Sequence, residues 1–295
     1  MGRVRKAVLP AAGFGTRFLP ATKAQPKETL PIVDRPAIQY MVEEAVRAGL
    51  HDLLIVTGRN KQPIEDHFDR NVELEELLRA KGKTDDLAEI VRLADLGTVH
   101  YVRQGEPLGL GHAVLQARHH VGDESFAVLL GDDIIDPSEP FLERMIALHE
   151  QTGRAVVAVE QIPDESTHLY GVVETAGEGE AGVYDVTDLV EKPEPRDAPS
   201  NLAVIGRYVL PSAIFDVLER TEPGRGGEIQ LTDGLRVLAQ REPIHAIEFE
   251  GVRHDVGDKL GFLKATVALA ADRPDLGPSF LDWLVKWLRE RGETW

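Results

Sequence analysis

Cysteine is absent from this chain of 295 residues, which excludes disulfides, thiol catalysis, cysteine-ligated zinc and iron–sulfur clusters. Long hydrophobic runs are absent as well, because no stretch approaches the ~18–20 apolar residues that a membrane span requires. The N-terminus is basic, but the apolar run that follows it before Gly13 is too short for a signal peptide. We therefore expect a cytoplasmic protein with no membrane segment.

Basic residues are scarce relative to acidic ones: 33 Lys and Arg stand against 50 Asp and Glu, which gives a net charge of −17. A general nucleic-acid binder needs basic surface to neutralise phosphates, so no nucleic-acid partner is expected. A nucleotide substrate stays open, because a small site can be locally basic or hold a metal. Hydrophobic residues make up 42 %, enough to fill a core, and this excludes wholesale disorder.

The first half of the chain alternates strand-like and helix-like patterns. Short apolar runs predict buried strands, and apolar residues at helical spacing, ended by Gly49, predict a helix over 37–48. The predicted order is strand 7–11, helix 37–48, strand 53–57, a helix beginning at 64–68, a charged helical excursion over 69–98, strand 99–104, helix 111–120 and strand 126–130. This order predicts a parallel sheet with helices on both faces.

The second half predicts strands that are joined by turns more than by long helices. Its strands are expected at 155–161, 171–175, 185–191 and 203–210. In the C-terminal tail, Trp283 and Trp287 belong to an apolar stripe at helical spacing, and we expect this stripe to pack against the chain's own body. The chain is therefore predicted to form one three-layer α/β domain with a mixed-sheet extension and a C-terminal helical arm.

A glycine-rich turn directly follows the first predicted strand and reads Ala11-Ala12-Gly13-Phe14-Gly15-Thr16-Arg17. Glycines let backbone N–H groups approach a phosphate or a base edge, and Arg17 can supply positive charge. A dinucleotide-binding fingerprint needs a third glycine where this chain has Phe18, and the chain contains no P-loop pattern. A tight turn without a ligand stays the alternative at this point.

A second segment, Pro26-Lys27-Glu28-Thr29-Leu30-Pro31, follows this turn. Its two prolines hold Lys27 and Glu28 in an extended loop after a parallel strand, and ligands bind beyond the carboxyl ends of such strands. The two patterns together, Gly-x-Gly-Thr-Arg followed by Pro-Lys, resemble the signature of the sugar-phosphate nucleotidylyltransferases.

Further segments resemble one branch of this family, the bacterial UTP–glucose-1-phosphate uridylyltransferases, from about Val8 to beyond Lys264. These segments are 19–24, 32–36, 103–105, 109–114, 191–193, 199–203, 206–210 and 228–233. The resemblance implies a three-layer, Rossmann-like nucleotidyltransferase fold: a mixed, mainly parallel sheet with a small β extension and C-terminal helices. It also implies a catalytic domain over 1–265, with a nucleotide-binding half of about 1–135 and a sugar-binding half of about 136–265, followed by a helical arm over 266–295.

The implied reaction joins UTP and α-D-glucose 1-phosphate into UDP-glucose and pyrophosphate, by Mg²⁺-assisted in-line attack without a covalent intermediate. The sugar phosphate, with a second pKa of about 6, is largely dianionic near pH 7, so no general base is required. Because two polyanions must meet, positioning, cations and a metal ion are expected to carry the catalysis.

The resemblance also assigns the metal ligands. Asp132 and Asp255 are the expected Mg²⁺ ligands, and hard oxygen donors suit this ion. The family often has a single aspartate where this chain has Gly131-Asp132-Asp133, which leaves open whether Asp132 or Asp133 holds the metal. Taken alone, an aspartate after a strand often caps a helix or a turn.

The remaining expected contacts divide between the two substrates. Arg17 and Lys27 are expected at the triphosphate and the departing pyrophosphate, and Lys192 at the sugar phosphate, although Lys192 alone could equally pair with Glu191. The expected nucleotide contacts are Ala11, Ala12, Gly13, Gly15, Thr16, Glu28, Gln104 and Gly109. The expected sugar-phosphate contacts are Asp133, Tyr170, Gly171, Glu191, Lys192 and Asn201. Uracil is expected to meet the backbone of Ala12 and Gly13 and the amide of Gln104, which can both donate and accept.

Other functions stay open beside this one. The nearest is a thymidylyltransferase that makes dTDP-glucose, or an enzyme of broader nucleotide and sugar choice, because single hydroxyl contacts decide between these substrates. A more distant alternative is a non-catalytic paralogue that binds sugar nucleotides and modulates a partner. Such a paralogue would be expected to have lost Arg17, Lys27, Asp132 or Lys192, and all four are present. The resemblance suggests a homodimer or homotetramer.

Overall fold

The computed structural model of the chain describes residues 2–177, 179 and 181–292. In these residues the strands are β1 (Lys6–Pro10), β2 (Pro31–Ile32), β3 (Arg35–Pro36), β4 (Asp52–Thr57), β5 (Thr98–Arg103), β6 (Phe126–Leu129), β7 (Asp133–Ile135), β8 (Val156–Gln161), β9 (Gly171–Thr175), β10 (Val183–Glu191), β11 (Leu202–Leu210), β12 (Ile244–Glu248) and β13 (Arg253–Asp255). The helices are α1 (Ala37–Arg47), α2 (Gln62–Phe68), α3 (Val72–Ala80), α4 (Thr84–Ala94), α5 (Leu110–Leu115), α6 (Arg118–Val121), α7 (Phe141–Thr152), α8 (Ala213–Leu218), α9 (Leu231–Ala239), α10 (Lys259–Ala271) and α11 (Gly277–Glu290).

One sheet organises the described chain, and its strand order is β5-β4-β1-β6-β11-β8-β12-β10-β9. Parallel pairing joins β5, β4, β1 and β6, and it joins β12 to β8. Strands β10 and β11 run antiparallel to their neighbours. All other strands of this sheet therefore point the same way, which confirms the predicted three-layer α/β fold with its mixed, mainly parallel sheet.

Strand β1 shows why this sheet is covered on both faces. Ala7, Val8 and Leu9 are each at most 1 % exposed. Ala7 and Leu9 pack with helices α1 and α7 on one face, while Val8 packs with α5, α6, α8 and α9 on the other. A strand buried on both faces needs a continuous apolar run rather than an alternating one, as its sequence has.

The strand ends place the candidate residues at one edge of the sheet. Strands β1 and β6 are parallel neighbours, with Ala7 opposite Ala127, so their carboxyl ends lie side by side. The glycine-rich turn follows β1 there, and Gly131–Asp133 follows β6. Gln104 follows β5 at the same edge, and its backbone N–H donates to the Thr57 carbonyl at the end of β4 (2.8 Å). Three segments far apart in sequence thus meet at the edge where parallel sheets bind ligands.

Some local predictions differ from the structure. The predicted helix over 111–120 forms as two short helices, α5 and α6, and helix α7 was not predicted. The predicted packing of the C-terminal stripe is wrong for its two tryptophans, because Trp283 and Trp287 on α11 are 54 % and 37 % exposed, whereas Leu284 and Leu288 of the same stripe are half-buried. The predicted boundary between 265 and 266 falls within helix α10. Across the described chain, no helix is both long enough and apolar enough to cross a membrane.

Candidate functional site

Two neighbouring cavities open at the carboxyl edge of the sheet. The first, which we call the Gly13 cavity, has a volume of about 460 Å³ and is lined by residues of the glycine-rich turn together with Lys27, Glu28, Gln104, Gly109 and Asp132. The second, the Lys192 cavity, has a volume of about 570 Å³ and is lined by Arg17, Asp132, Asp133, Tyr170, Gly171, Glu191, Lys192 and Asp255, among others. Asp132 lines both cavities, as do Leu110, Leu130 and Glu228, so ligands in the two would meet beside these residues, of which Asp132 and Glu228 carry charge.

Local packing shapes the glycine-rich turn. Gly15 has φ +63°, and a Cβ there would lie only 3.0 Å from the Cβ of Lys27, so glycine lets the turn pack against the Pro26–Pro31 segment. The hydroxyl of Thr22 donates to the Gly15 carbonyl (2.7 Å) and fixes this arrangement. Ala12, Gly13 and Thr16 line the Gly13 cavity. Ala11 lies buried beneath the turn, where its N–H donates to Val56.

Lys27 and Asp132 form an ion pair between the two cavities. The Nζ of Lys27 lies 3.2 Å from Oδ2 of Asp132. Burial lowers the pKa of Lys27, but the charges of Asp132 and Glu28 outweigh it and raise this pKa above its ordinary value. Burial likewise raises the pKa of Asp132, but the charge and hydrogen bond of Lys27 hold it below its ordinary value. Both groups are therefore charged at neutral pH.

Glu28 is held beneath this pair. It is 1 % exposed, and its Oε2 accepts a hydrogen bond from Nζ of the buried Lys61 (2.7 Å). A buried carboxylate needs such a partner, because an unpaired one would carry a large desolvation penalty. The Lys61 pair thus fixes Glu28 beside Lys27 and anchors the loop that carries both.

Asp255 reaches the same place from the other end of the chain. Strand β13 pairs with β7, which sets Asp255 opposite Asp133, and Val256 N–H donates to the Asp132 carbonyl (2.7 Å). The Asp255 carboxylate accepts hydrogen bonds from Gly257 N–H (2.8 Å) and from the Tyr170 hydroxyl (3.1 Å). An ideal Cβ on Gly257 would lie 3.0 Å from Oδ1 of Asp255 and 3.3 Å from Oδ2 of Asp132, so the two carboxylates converge there.

Asp133 differs from Asp132 in its partner. Its carboxylate is paired with the guanidinium of Arg253, which also donates to Glu160 (2.8 Å). Burial raises the pKa of Asp133 to about 6 despite this pairing. The two adjacent acids therefore face different surroundings: Asp132 faces the lysine between the cavities, and Asp133 is engaged by an arginine at the wall.

Lys192 closes the wall of the second cavity. Its Nζ lies 3.1 Å from Oε1 of Glu191, so the pairing that the sequence left open is present. Oε2 of Glu191 accepts a hydrogen bond from the Thr232 hydroxyl (2.7 Å). Lys192 has φ +50°, a left-handed conformation that costs a non-glycine residue about 1–3 kcal/mol and that clusters at functional sites. The Lys192 N–H donates to the Tyr170 carbonyl (2.9 Å), and the Lys192 carbonyl accepts a hydrogen bond from Nη1 of Arg225.

The other predicted site residues differ in where they lie relative to the two cavities. Arg17 lines the Lys192 cavity rather than the Gly13 cavity, and its Nη1 donates to the Gly257 carbonyl (3.4 Å). Gln104 is 7 % exposed, and its amide donates to the carbonyl of Gly109 (3.1 Å). Gly109 has φ +106°, and a Cβ there would lie 2.7 Å from the Ile229 carbonyl, so only glycine fits. Asn201 stands apart from the residues that line the two cavities, and its carbonyl accepts a hydrogen bond from Ile162 (3.0 Å).

The sequence assigned no role to a buried arginine behind the site. Arg207 is 0 % exposed, and its Nε and Nη2 donate to the two carboxylate oxygens of Glu44 (2.8 and 2.6 Å). Its guanidinium also donates to the carbonyls of Leu130 (3.2 Å), Gly206 (3.3 Å) and Asp133 (2.7 Å). Arg207 therefore holds the backbone on both sides of Asp132.

Several further residues line the Lys192 cavity without having been predicted, among them Tyr208, Glu228, Gln230 and Thr232. The segments 206–210 and 228–233 were noted for their resemblance to the family, but their residues received no role. These two motifs could therefore have indicated the cavity residues, but the sequence does not show which other elements they meet in the fold.

Comparison with known proteins identifies a family to which this chain is similar over most of its length. The sequence profile of the nucleotidyl transferase family matches residues 6–272. A UTP–glucose-1-phosphate uridylyltransferase of Bacillus subtilis, YngB, is 57 % identical over 282 residues, which are 96 % of this chain and 95 % of that protein. One of Staphylococcus haemolyticus is 49 % identical over 99 % of this chain and 100 % of its own length.

A solved structure leads to the same group. The UTP-bound UDP-glucose pyrophosphorylase of Acinetobacter baumannii superposes with a TM-score of 0.89, is 45 % identical, and covers 96 % of this chain and 99 % of its own. Family match and identity both extend over almost the whole length. The chain therefore belongs to the nucleotidyl transferase family and, within it, to the bacterial UTP–glucose-1-phosphate uridylyltransferases.

Proposed function

We propose that this protein transfers the uridylyl group of UTP to α-D-glucose 1-phosphate and releases pyrophosphate. The observation that carries the proposal is the position of Asp132, which lines both the Gly13 cavity and the Lys192 cavity. A nucleotide in the first and a sugar phosphate in the second would bring their phosphates together at one point. The names of the relatives fit this reaction.

The reaction needs little proton chemistry. A phosphate oxygen of glucose 1-phosphate attacks the α-phosphorus of UTP, a new P–O bond forms, and the bond to the β-phosphate oxygen breaks in line with it. The electron pair of the broken bond leaves with pyrophosphate. Because the attacking phosphate is largely dianionic near neutral pH, no side chain has to remove a proton. The protein's task is to hold two polyanions together and to stabilise the charge of the leaving group.

Asp132 and Asp255 are the residues that would hold Mg²⁺. Their convergence at Gly257 offers oxygen donors alone, which suit a hard cation that keeps several positions for water and phosphate oxygens. When bound, the ion would neutralise negative charge on the reacting phosphates. Asp133 is engaged by Arg253, and this pairing favours Asp132 over Asp133 as the ligand.

Three cations would supply the remaining positive charge. Lys27 lies next to Asp132 and would contact the triphosphate and the departing pyrophosphate. Arg17 lines the Lys192 cavity, and this position supports a contact of its guanidinium with the sugar phosphate as well as with the reacting phosphates. Lys192 would bind the sugar phosphate, while Glu191, oriented by Thr232, accepts hydrogen bonds from sugar hydroxyls.

Lys192→Ala is expected to raise the KM for glucose 1-phosphate by about 10- to 100-fold, the value of one charge-assisted hydrogen bond, and to change the KM for UTP by less than about threefold. Alanine at φ +50° bears about the same backbone cost as lysine, so the expected effect comes from the lost side chain and its charge rather than from backbone strain. Steady-state kinetics with each substrate varied in turn measures both constants. The matched control is Arg196→Ala, an exposed cation in the same loop, which should leave both unchanged. A larger rise for UTP would move Lys192 to the nucleotide.

We also propose that the protein is a homodimer or homotetramer that associates through its C-terminal helices. An exposed apolar row on α10 consists of Leu260, Leu263 and Val267. On the neighbouring α11, the exposed rings of Trp283 and Trp287 stack on each other. Exposed apolar residues that are grouped on neighbouring helices, rather than scattered singly, are typical of association surfaces.

The double variant Leu263→Ser/Trp283→Ser is expected to dissociate this oligomer into single chains, because both substitutions remove apolar area from the proposed interface. Light scattering coupled to size-exclusion chromatography measures the mass. An exposed apolar residue on the excursion helix α3 supplies the control, Leu77→Ser, which should keep the wild-type mass. A wild-type protein that already elutes as a single chain would contradict the proposal.

Pyrophosphate release tests the function and its nearest alternative together. UTP and dTTP are each combined with the 1-phosphates of glucose, galactose and N-acetylglucosamine, with and without Mg²⁺. We expect the fastest Mg²⁺-dependent release from UTP with glucose 1-phosphate. Faster release from dTTP would make the protein a thymidylyltransferase, and no release from folded protein would favour the non-catalytic paralogue.

A further inference from the structure

Three side chains at the amino-terminal edge of the sheet, opposite the two cavities, form a cluster that the reaction does not use. Asp52 begins β4, His100 lies in β5 and His120 lies in α6. One possible ligand atom from each residue lies within 4.8 Å of the other two. Within the described ranges, no other three His, Asp or Glu side chains come together in this way.

The fold explains why these residues meet. Strands β4 and β5 are parallel with Asp52 opposite Thr98, so Asp52 and His100 point to the same face of the sheet. Helix α6 covers that face, where Val121 packs with Leu54, and the preceding His120 reaches the sheet edge. Nε2 of His120 lies 2.8 Å and Nε2 of His100 lies 3.6 Å from the same atom, Oδ1 of Asp52.

We propose that Asp52, His100 and His120 form a binding site for a divalent transition-metal cation of the Zn²⁺ class. Two imidazoles and one carboxylate are a common ligand set for such ions and leave positions for water. Bonds of about 2.0–2.1 Å in a tetrahedral site place ligand atoms roughly 3.3 Å apart. Two of the three observed separations, 2.8 and 3.6 Å, bracket this value, and the third is within 4.8 Å, so rotation of the exposed His100 side chain would bring the three atoms around one ion.

The basic residues around the cluster favour a transition-metal ion over a hard ion such as Mg²⁺. Arg3, Arg5 and His51 line the surface depression beside Asp52 and His100. Nearby Lys6 is paired with Glu124 (2.6 Å). One carboxylate among these cations offers little to a hard ion such as Mg²⁺ or Ca²⁺, which binds through several oxygens. Imidazole nitrogens bind Zn²⁺, Co²⁺ or Ni²⁺ through coordinate bonds instead. The site would therefore be chemically distinct from the oxygen site at Asp132 and Asp255.

Binding here would tie two strands to a helix at the amino-terminal edge of the sheet, away from the cavities. Because β4, β5 and α6 each supply one ligand, a bound ion stabilises the folded chain by an amount that grows with the logarithm of the ratio of its concentration to the dissociation constant. The expected effect is a higher melting temperature with little direct effect on the distant phosphates.

Calorimetric titration of untagged, chelator-treated protein with Zn²⁺, in excess Mg²⁺, tests the proposal. We expect one saturable site, and we expect His100→Ala and His120→Ala each to weaken it by at least about tenfold. His119→Ala is the matched control, because His119 is the exposed neighbour of His120 in the same helix and lies outside the cluster. Zn²⁺ should raise the melting temperature of the wild type and of His119→Ala only.

Two results would overturn the proposal. Equal Zn²⁺ affinity in the wild type and in His100→Ala/His120→Ala would place the binding elsewhere, and the absence of a saturable site in the wild type would remove it altogether. Loss of the fold is not expected in these variants, since the side chains of His100 and His120 are 46 % and 22 % exposed and neither belongs to the core. Circular dichroism of each variant checks this point.

Discussion

Asp132→Asn is expected to lower turnover by about a thousandfold or more while the fold is retained. The substitution keeps the shape of the side chain but removes the charge that would hold Mg²⁺ between the Gly13 and Lys192 cavities. A cation at the reacting phosphates contributes several kcal/mol to catalysis, and each ~1.4 kcal/mol is a factor of ten in rate. Lys27 also loses its partner at 3.2 Å, which alters the charge on both sides of the reacting point.

The control for this prediction is Asp136→Asn, four positions along the chain. The Asp136 carboxylate accepts hydrogen bonds from the backbone N–H and the hydroxyl of Ser138 (2.8 and 2.6 Å), and it lines neither cavity. Its turnover should stay within about twofold of wild type. Turnover of Asp132→Asn above a tenth of the wild-type value, measured by pyrophosphate release, would contradict the assignment of Asp132 as a metal ligand.

Arg207→Met is expected to lower the free energy of unfolding by about 3–5 kcal/mol, because it leaves the buried Glu44 carboxylate without its partner. The carbonyls of Leu130, Gly206 and Asp133 lose a donor at the same time. Since two of them flank Asp132, turnover should fall even where the variant is fully folded. Urea denaturation gives the stability, and kinetics well below the melting temperature give the turnover.

Arg118→Met tests whether burial of the ion pair causes the large loss of stability that is expected for Arg207→Met. Arg118 forms comparable contacts with Asp216 (2.6 Å) and Glu219 (3.0 Å), but all three side chains are exposed to solvent. Such pairs contribute about 0–1 kcal/mol, so this variant should lose little stability. Equal losses of unfolding free energy in the two variants would show that the buried pair stabilises the fold no more than an exposed one. A loss below about 1 kcal/mol for Arg207→Met would lead to the same conclusion.

Much of the fold could be predicted because parallel sheets have a local signature. The apolar run before the glycine-rich turn and the one before Gly131 each predicted a strand of the observed sheet. Because ligands bind at the carboxyl ends of parallel strands, the turns after these two strands were predicted to lie at the same site. The resemblance to the family then indicated candidate site residues. The structure places most of them at the two cavities, and their individual roles stay predictions.

Features that depend on distant partners could not be predicted. Nothing local in Leu202–Leu210 indicates that β11 runs antiparallel between β6 and β8. Arg207 lies in a recognised motif, but its partner Glu44 comes from α1, 163 residues earlier in the chain. The C-terminal stripe has the periodicity of a buried helix face, and periodicity alone does not say whether the chain itself or another molecule covers it.

Uridylyl transfer itself is tested most directly by ³¹P NMR of the purified protein with UTP, glucose 1-phosphate and Mg²⁺. The predicted result is the appearance of UDP-glucose and pyrophosphate in equal amounts, only when all three are present, and with Asp132→Asn far slower than wild type. UTP that stays intact, or that is hydrolysed to UMP and pyrophosphate without incorporation of glucose 1-phosphate, would contradict the proposed reaction.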